Sequence, residues 1–167
     1  PEEKIVVIPN GIDTVRFCSS PVARRRIRAE WGVTNEEELI GIVGRLDPMK
    51  DHETFLQAAV LLLPLRKKVR FVCVGDGQAE YRKTLHDRAR ALGLSDRILW
   101  VGMRLNVVEV YSALDLLVNC SSGEGFSNVI GEAMACGIPC VVTDVGDSGL
   151  VIGSLGKLVP PRDPIAL

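Results

Sequence analysis

Val69-Arg70-Phe71-Val72-Cys73-Val74-Gly75-Asp76-Gly77 decides the architecture of this chain. Apart from Arg70, its first six residues are apolar, the pattern of a strand covered on both faces rather than one lying half in water. Gly75-Asp76-Gly77 then marks a tight turn. A helical pattern follows from about Gln78 to Leu92, with Leu85, Ala89 and Leu92 on one face and Gly93 as its stop. Working outward, the unit of strand, turn and helix repeats. Upstream, Leu39 to Gly44 reads as a buried strand and Asp51 to Leu65 as a helix. Downstream come a strand over Ile98 to Val101, a helix over Val107 to Ala113 and a strand over Leu116 to Val118. A helix over Ser127 to Ala135, stopped by Gly137, and a strand over Ile138 to Thr143 complete the series. This alternation implies an α/β fold: a parallel sheet built from right-handed crossovers, with helices on both faces. Ligands of such sheets sit beyond the carboxyl ends of the strands, which singles out the loops after Val43, Val74, Val101, Val118 and Val142. Residues 1–38 read as a lead-in: an extended stretch Lys4 to Ile8, a turn at Asn10-Gly11 and a short basic helix near Ala23 to Trp31.

Composition narrows the classes of function. The 167 residues are 47% hydrophobic and 25% charged, ordinary for a globular domain and unlike a disordered or fibrous chain. Twenty Lys and Arg against 21 Asp and Glu leave a formal charge of -1, against the basic excess of a dedicated nucleic-acid binder. The longest apolar candidate, Phe55 to Leu65, is interrupted by Gln57 and Pro64 and is too short to cross a membrane. No basic segment followed by an apolar one reads as a signal peptide. The five cysteines, Cys18, Cys73, Cys120, Cys136 and Cys140, are odd in number and mostly in apolar surroundings, as free thiols in a reducing cytoplasm would be. Only Cys136 and Cys140 are close, and His52 and His86 lie far from them, so no metal site is expected. The start at Pro1 and the Pro-rich stretch Pro160 to Pro164 read as the edges of a piece cut from a longer polypeptide.

Two loops carry the candidate chemistry. The triphosphatase loop Gly-x-x-x-x-Gly-Lys-Ser/Thr is absent, and a dinucleotide fingerprint at Gly75-Asp76-Gly77 fails because its third glycine position is Glu80. After the first strand, Gly44-Arg45-Leu46-Asp47-Pro48-Met49-Lys50-Asp51-His52 brings one Arg and one Lys to the start of a helix. Helix N-termini favour anions, Arg grips phosphate bidentately and Lys adds a mobile point charge. One charge pair ~4 Å apart is worth roughly 4 kcal/mol at an effective dielectric near 20, before desolvation. Two cations here suit a diphosphate, while a solvated basic pair is the bland alternative. After the fourth strand, Glu124 stands between Gly123 and Gly125 at the ligand edge, and Glu132 follows inside a helix that Ser127 or Asn128 can cap. Carboxylates accept hydrogen bonds from hydroxyls, so two of them beside a phosphate site suit a sugar and a ribose. Singly, each also reads as an ordinary surface or helix-dipole acid.

Together these motifs resemble the donor-binding domain of retaining glycosyltransferases of family 4, the group 1 glycosyl transferases, which have the two-domain GT-B fold. The resemblance runs from Ile8-Pro9-Asn10-Gly11-Ile12-Asp13 to Val159-Pro160-Pro161-Arg162-Asp163-Pro164. Its most specific parts are Gly44-Arg45-Leu46 with Lys50, and the Glu124 and Glu132 pair within Glu124-Gly125-Phe126-Ser127-Asn128-Val129. Ala133-Met134-Ala135-Cys136-Gly137-Ile138-Pro139 and Thr143-Asp144-Val145-Gly146-Asp147-Ser148 add to it. The resemblance implies a Rossmann-like sheet that is one half of a GT-B enzyme. It implies that Arg45 and Lys50 hold the donor diphosphate, Glu132 the ribose hydroxyls and Glu124 the transferred sugar. The backbone of Gly125, Phe126, Ser127 and Asn128 would touch sugar and phosphate, and the turn Gly102-Met103-Arg104 the nucleobase. Relatives often carry Gly or Pro where this chain has Ser127. Arg24, Arg25, Arg26 and Arg28 match no family motif and read as a solvated helix face, with contact to anionic lipid as the minor alternative.

The implied donor is a UDP-, GDP- or ADP-sugar with no further cofactor and no metal. The implied acceptor is a glycan or lipid-linked sugar, reached through an N-terminal domain that these residues do not contain, in cell-envelope polysaccharide, lipopolysaccharide or glycoconjugate synthesis. On this reading residues 1–38 come from the interdomain linker, residues 39–167 form the donor domain, and this portion alone does not transfer sugar. A cytoplasmic location follows, or a peripheral one at the inner face of the membrane. Two rival readings are a non-catalytic nucleotide-sugar-binding or regulatory module and a GT-B nucleotide-sugar epimerase.

Overall fold

The computed structural model describes Val6, Ile8 and residues 10–167. Among the described residues, six strands form one all-parallel sheet: β1 (Glu38–Val43), β2 (Val69–Val74), β3 (Ile98–Trp100), β4 (Leu116–Asn119), β5 (Cys140–Thr143) and β6 (Lys157–Val159). Their order across the sheet is β3-β2-β1-β4-β5-β6. The chain therefore winds outward from β1 in one direction, returns, and winds outward from β4 in the other. Between β1 and β4 the loops leave in opposite directions, opening a crevice at the carboxyl edge.

Alternation along each strand divides the core. Leu39, Val72, Val74, Leu117, Cys140 and Val142 face α1 (Pro21–Glu30), α4 (Val107–Ala113), α5 (Asn128–Ala135) and α6 (Ser148–Ile152). Ile40, Ile42, Val69, Phe71, Cys73, Ile98 and Val118 face α2 (His52–Leu62) and α3 (Ala79–Ala91) on the other side. With helices against both faces, the central strands have no solvent side, which is why their sequences lack polar alternation. A Rossmann-like sheet is thus the observed fold.

The elements depart from the sequence expectations where local chemistry intervenes. Helix α2 ends at Leu62 rather than Leu65 because Pro64 brings no N–H to continue it. Strand β5 starts at Cys140 because the Ile138 N–H is spent on the Ala133 carbonyl, closing α5 through Gly137. Helix α6 and edge strand β6 have no counterpart in the sequence pattern; they span five and three residues among glycines. The lead-in turn lies at Asp13 to Phe17 instead of Asn10-Gly11: the Asp13 carboxylate accepts from the Val15 and Arg16 amides at 3.0 Å. The extended reading of Lys4 to Ile8 falls largely outside the described residues.

The basic helix is the main correction. Arg28 on α1 is 1% exposed and is no part of a solvated face. Its guanidinium donates to the Ala113 and Thr34 carbonyls at 3.0 and 2.6 Å, to the Glu37 carbonyl, and to Asp115 Oδ2 at 3.0 Å. Arg24 donates to the Leu114 carbonyl at 2.9 Å and to Asp115 Oδ1 at 2.6 Å. Asp115 in turn accepts from the Leu39 N–H. The arginines satisfy the carbonyls at the end of α4 and tie α1 to the base of β1 and β4. Arg26 pairs with Glu109, and Arg25 stays exposed.

Candidate functional site

At the carboxyl edge the crevice between β1 and β4 is bounded by the loop of residues 44–51 and the loop of residues 120–127. Hydrogen bonds stitch the two loops together. The Ser122 N–H donates to the Met49 carbonyl at 2.8 Å, and the Cys120 thiol to the Asp51 carbonyl at 3.2 Å. Within the first loop, Asp47 accepts from the Met49 N–H, and Asp51 caps α2 through Thr54. Asp51 holds a left-handed conformation (φ 48°) to make that cap, so Lys50 is set at a fixed kink rather than on a free loop.

Lys50 and Glu124, 74 residues apart in the chain, form an ion pair between Nζ and Oε1. Their side chains are 21% and 12% exposed, shielded enough to interact and open enough to meet a ligand. The Ser121 hydroxyl donates to the same Glu124 oxygen at 2.7 Å, and Thr143 Oγ1 donates to the Ser121 carbonyl at 2.6 Å. The loop after β5 clasps the acidic loop from above: the Asp147 N–H donates to the Gly125 carbonyl at 2.9 Å. Gly146 makes this approach possible, since at φ 52° a Cβ there would lie 2.1 Å from the Glu124 carbonyl oxygen.

The start of α5 differs from the expected cap. Ser127 occupies the N-cap position, but its hydroxyl accepts from Asn119 Nδ2 at 2.8 Å and no side chain caps the helix. The first amides of α5 are thereby left without a side-chain cap, an arrangement that favours an anion. Asn128 accepts from Asn10 Nδ2 at 3.2 Å, and Phe126 is half-buried. One turn further along α5, Glu132 Oε2 accepts from the Tyr111 hydroxyl at 2.6 Å.

Arg45 sits on the other side of the loop. It lines a cavity of about 210 Å³ with Gly44, Gly75, Asp76, Met103, Arg104 and Val107, at the ends of β1 and β2. Backbone contacts fix its walls: Gly75 donates to the Gly102 carbonyl at 2.9 Å and Leu46 to the Asp76 carbonyl at 3.0 Å. Gly75 is required here, because a Cβ would fall 1.8 Å from the Gly44 carbonyl oxygen. Arg104 is anchored by Glu30 at 2.8 Å and lies over the Trp31 ring at 5.8 Å, while Met103 is 71% exposed. The structure thus joins Lys50 directly to Glu124, sets Arg45 and the Met103-Arg104 turn around one cavity, and ties Glu132 to Tyr111. The sequence pattern points to no task for Tyr111, Ser121 or Gly146. Among the described residues, no three His, Cys, Asp or Glu side chains gather as a metal-holding cluster, and no helix is long and apolar enough to cross a membrane.

A parallel sheet with a Lys–Glu pair and an uncapped helix start at its switch point, and an Arg at the neighbouring ends of β1 and β2, defines a Rossmann-like α/β domain whose ligand edge suits an anion. Residues 37–167 match the family model of the group 1 glycosyl transferases, and the chain belongs to that family. It is 36% identical over 151 residues to the lipopolysaccharide core biosynthesis mannosyltransferase LpsB of Rhizobium meliloti, covering 88% of this chain and 43% of that protein. It is 34% identical over 164 residues to the D-inositol 3-phosphate glycosyltransferase of Mycolicibacterium smegmatis, covering 96% of this chain and 37% of that protein. The chain therefore spans less than half the length of these relatives. Among solved structures, HepE of Anabaena in complex with UDP-glucose superposes with a TM-score of 0.87 at 32% identity, over 95% of this chain and 44% of that one. The C-terminal domain of LpcC, a group 1 glycosyl transferase of Francisella tularensis, gives a TM-score of 0.80 at 26% identity, covering 92% and 82%. The fold is that of the C-terminal half of a GT-B glycosyltransferase.

Proposed function

We propose that this chain is the donor half of a retaining glycosyltransferase and binds a nucleoside-diphosphate sugar in the crevice between β1 and β4. The observation that carries the reading is the meeting of Lys50 and Glu124 at the switch point, beside the uncapped start of α5. HepE, similar along nearly the whole of this chain, was solved with UDP-glucose, which supports a nucleotide sugar as the ligand. Arg45 and Lys50 hold the diphosphate, and the amides from Gly125 to Asn128 meet its phosphate and the sugar. Glu124 accepts from the sugar hydroxyls, Glu132 from the ribose, and the Met103-Arg104 turn with its cavity receives the base.

In the transfer, the bond between the anomeric carbon and the diphosphate oxygen breaks through an oxocarbenium-like state. Negative charge grows on the departing oxygen, so cations fixed there lower the barrier because they bind the transition state more strongly than the ground state. In the free protein Glu124 occupies Lys50. A diphosphate competes for that ammonium, releasing Glu124 toward the sugar hydroxyls; donor entry exchanges one ion pair for another without leaving Lys50 unpaired. The acceptor, a glycan or lipid-linked sugar, would be brought by a partner domain such as the relatives' additional length provides. Lipopolysaccharide or related envelope glycan synthesis is the setting LpsB suggests. Assayed in the full-length protein against a panel of UDP-, GDP- and ADP-sugars, Glu124→Ala lowers transfer on the order of a hundredfold with little change in the unfolding midpoint. Undiminished transfer by that variant removes Glu124 from the sugar site.

A further inference from the structure

We infer that Tyr111 is a positioning residue for Glu132, fixing the carboxylate in the orientation that reads the ribose of a bound nucleotide. The inference rests on the ribose reading of Glu132 under the proposed function. Tyr111 is fully buried on α4, whereas Glu132, on α5, is only partly covered. The phenol crosses between the two helices and donates to Oε2 at 2.6 Å. Its ring belongs to the core cluster of this face, beside Ile130, Ala133 and Cys136, and lies tilted against Phe17 with centroids 6.3 Å apart. The donor end of the hydrogen bond is therefore rigid.

Burial, with the hydrogen bond and the charge of Glu132, pushes the Tyr111 hydroxyl far above its ordinary range, so it remains a proton donor at any working pH. A glutamate on a helix has three rotatable bonds and loses freedom when it binds a ligand. Tying Oε2 to a fixed phenol removes that freedom in advance, and leaves Oε1 and the second lone pair of Oε2 to accept from neighbouring hydroxyls. A vicinal diol such as the 2′- and 3′-hydroxyls of ribose matches this acceptor pair. A phenylalanine would fill the same core volume without setting the carboxylate, so the hydroxyl is the part of this side chain with a task at the site.

Tyr111→Phe preserves the ring and removes only the donor. Calorimetric titration of the full chain with UDP, GDP and ADP, and with the 2′-deoxy and 3′-deoxy forms of whichever binds most tightly, reads the effect. Affinity for the ribonucleotide falls about tenfold while the deoxy forms change little, so discrimination between them collapses. Equal losses for ribo and deoxy ligands, or no loss, make Tyr111 a core residue only and overturn the inference. Glu132→Gln separates the two claims: if that variant keeps full ribose discrimination, Glu132 does not read the ribose, and both fall. Should it lose discrimination while Tyr111→Phe keeps it, only the positioning role fails.

Discussion

At the residue scale, the site consists of charges held by short, specific contacts. Glu124 is fixed by Lys50 and Ser121, whose own backbone carbonyls accept from the Cys120 thiol and the Thr143 hydroxyl. His52, the first residue of α2, follows Lys50 by two positions and is 1% exposed, its Nδ1 without a hydrogen-bond partner among the described residues. Burial holds its pKa down at about 4, with Lys50 pushing the same way and Asp51 opposing. In the unfolded chain the imidazole titrates near 6.5, so the native state is unaffected above that value. Between pH 6.5 and about 4 the unfolded state takes up the proton first, and stability falls. By pH 5 this amounts to about 2 kcal/mol. Urea unfolding at pH 7.5 and pH 5 measures it as the difference between the wild type and His52→Asn, the variant losing less over the interval. Equal losses would place the imidazole in water.

At the scale of elements, α1 acts as a strap. Arg24, Arg25, Arg26 and Arg28 look like a wet face when read along the sequence, since arginine is rarely fully buried. What the sequence does not display is the acceptor set: the Thr34 and Glu37 carbonyls come from one segment, and the Ala113 carbonyl and Asp115 from another far along the chain. Arg28→Met lengthens no helix and breaks no cap, but it strands those acceptors and half the pairing of Asp115. It destabilises the fold by about 3 kcal/mol in denaturant unfolding, whereas exposed Arg25→Met shifts stability by less than about 0.5 kcal/mol. A cost for Arg28→Met no larger than for Arg25→Met would mean that α1 is held by its apolar residues alone. The buried strands, by contrast, are legible because runs such as Val69–Val74 need only local pattern to be recognised. Helix α6 and strand β6 are not, being too short for any periodicity and held in place by the β5 edge.

For the whole molecule, the sheet order explains why two loops remote in sequence make one site. Reversal of winding between β1 and β4 opens the crevice, and the loops that flank it carry the cation and the carboxylate. Loop spacing and residue type suffice to mark Arg45, Lys50, Glu124 and Glu132 as candidates. The Lys50–Glu124 pair itself is not legible in the sequence, because it depends on the register of β1 against β4, fixed by Ile40 opposite Leu116 and Gly41 opposite Leu117. Tyr111 is hidden for another reason: an aromatic on an apolar helix face looks like core, and this one is core at its ring while its hydroxyl reaches Glu132.

Whether Arg45 and Lys50 hold a nucleoside diphosphate is measured by calorimetric titration with UDP, GDP and ADP. At least one of the three binds the wild-type chain, and Arg45→Ala and Lys50→Ala each weaken that binding about tenfold or more, as loss of a charge-assisted contact should. Equal affinity in the wild type and both variants would contradict it.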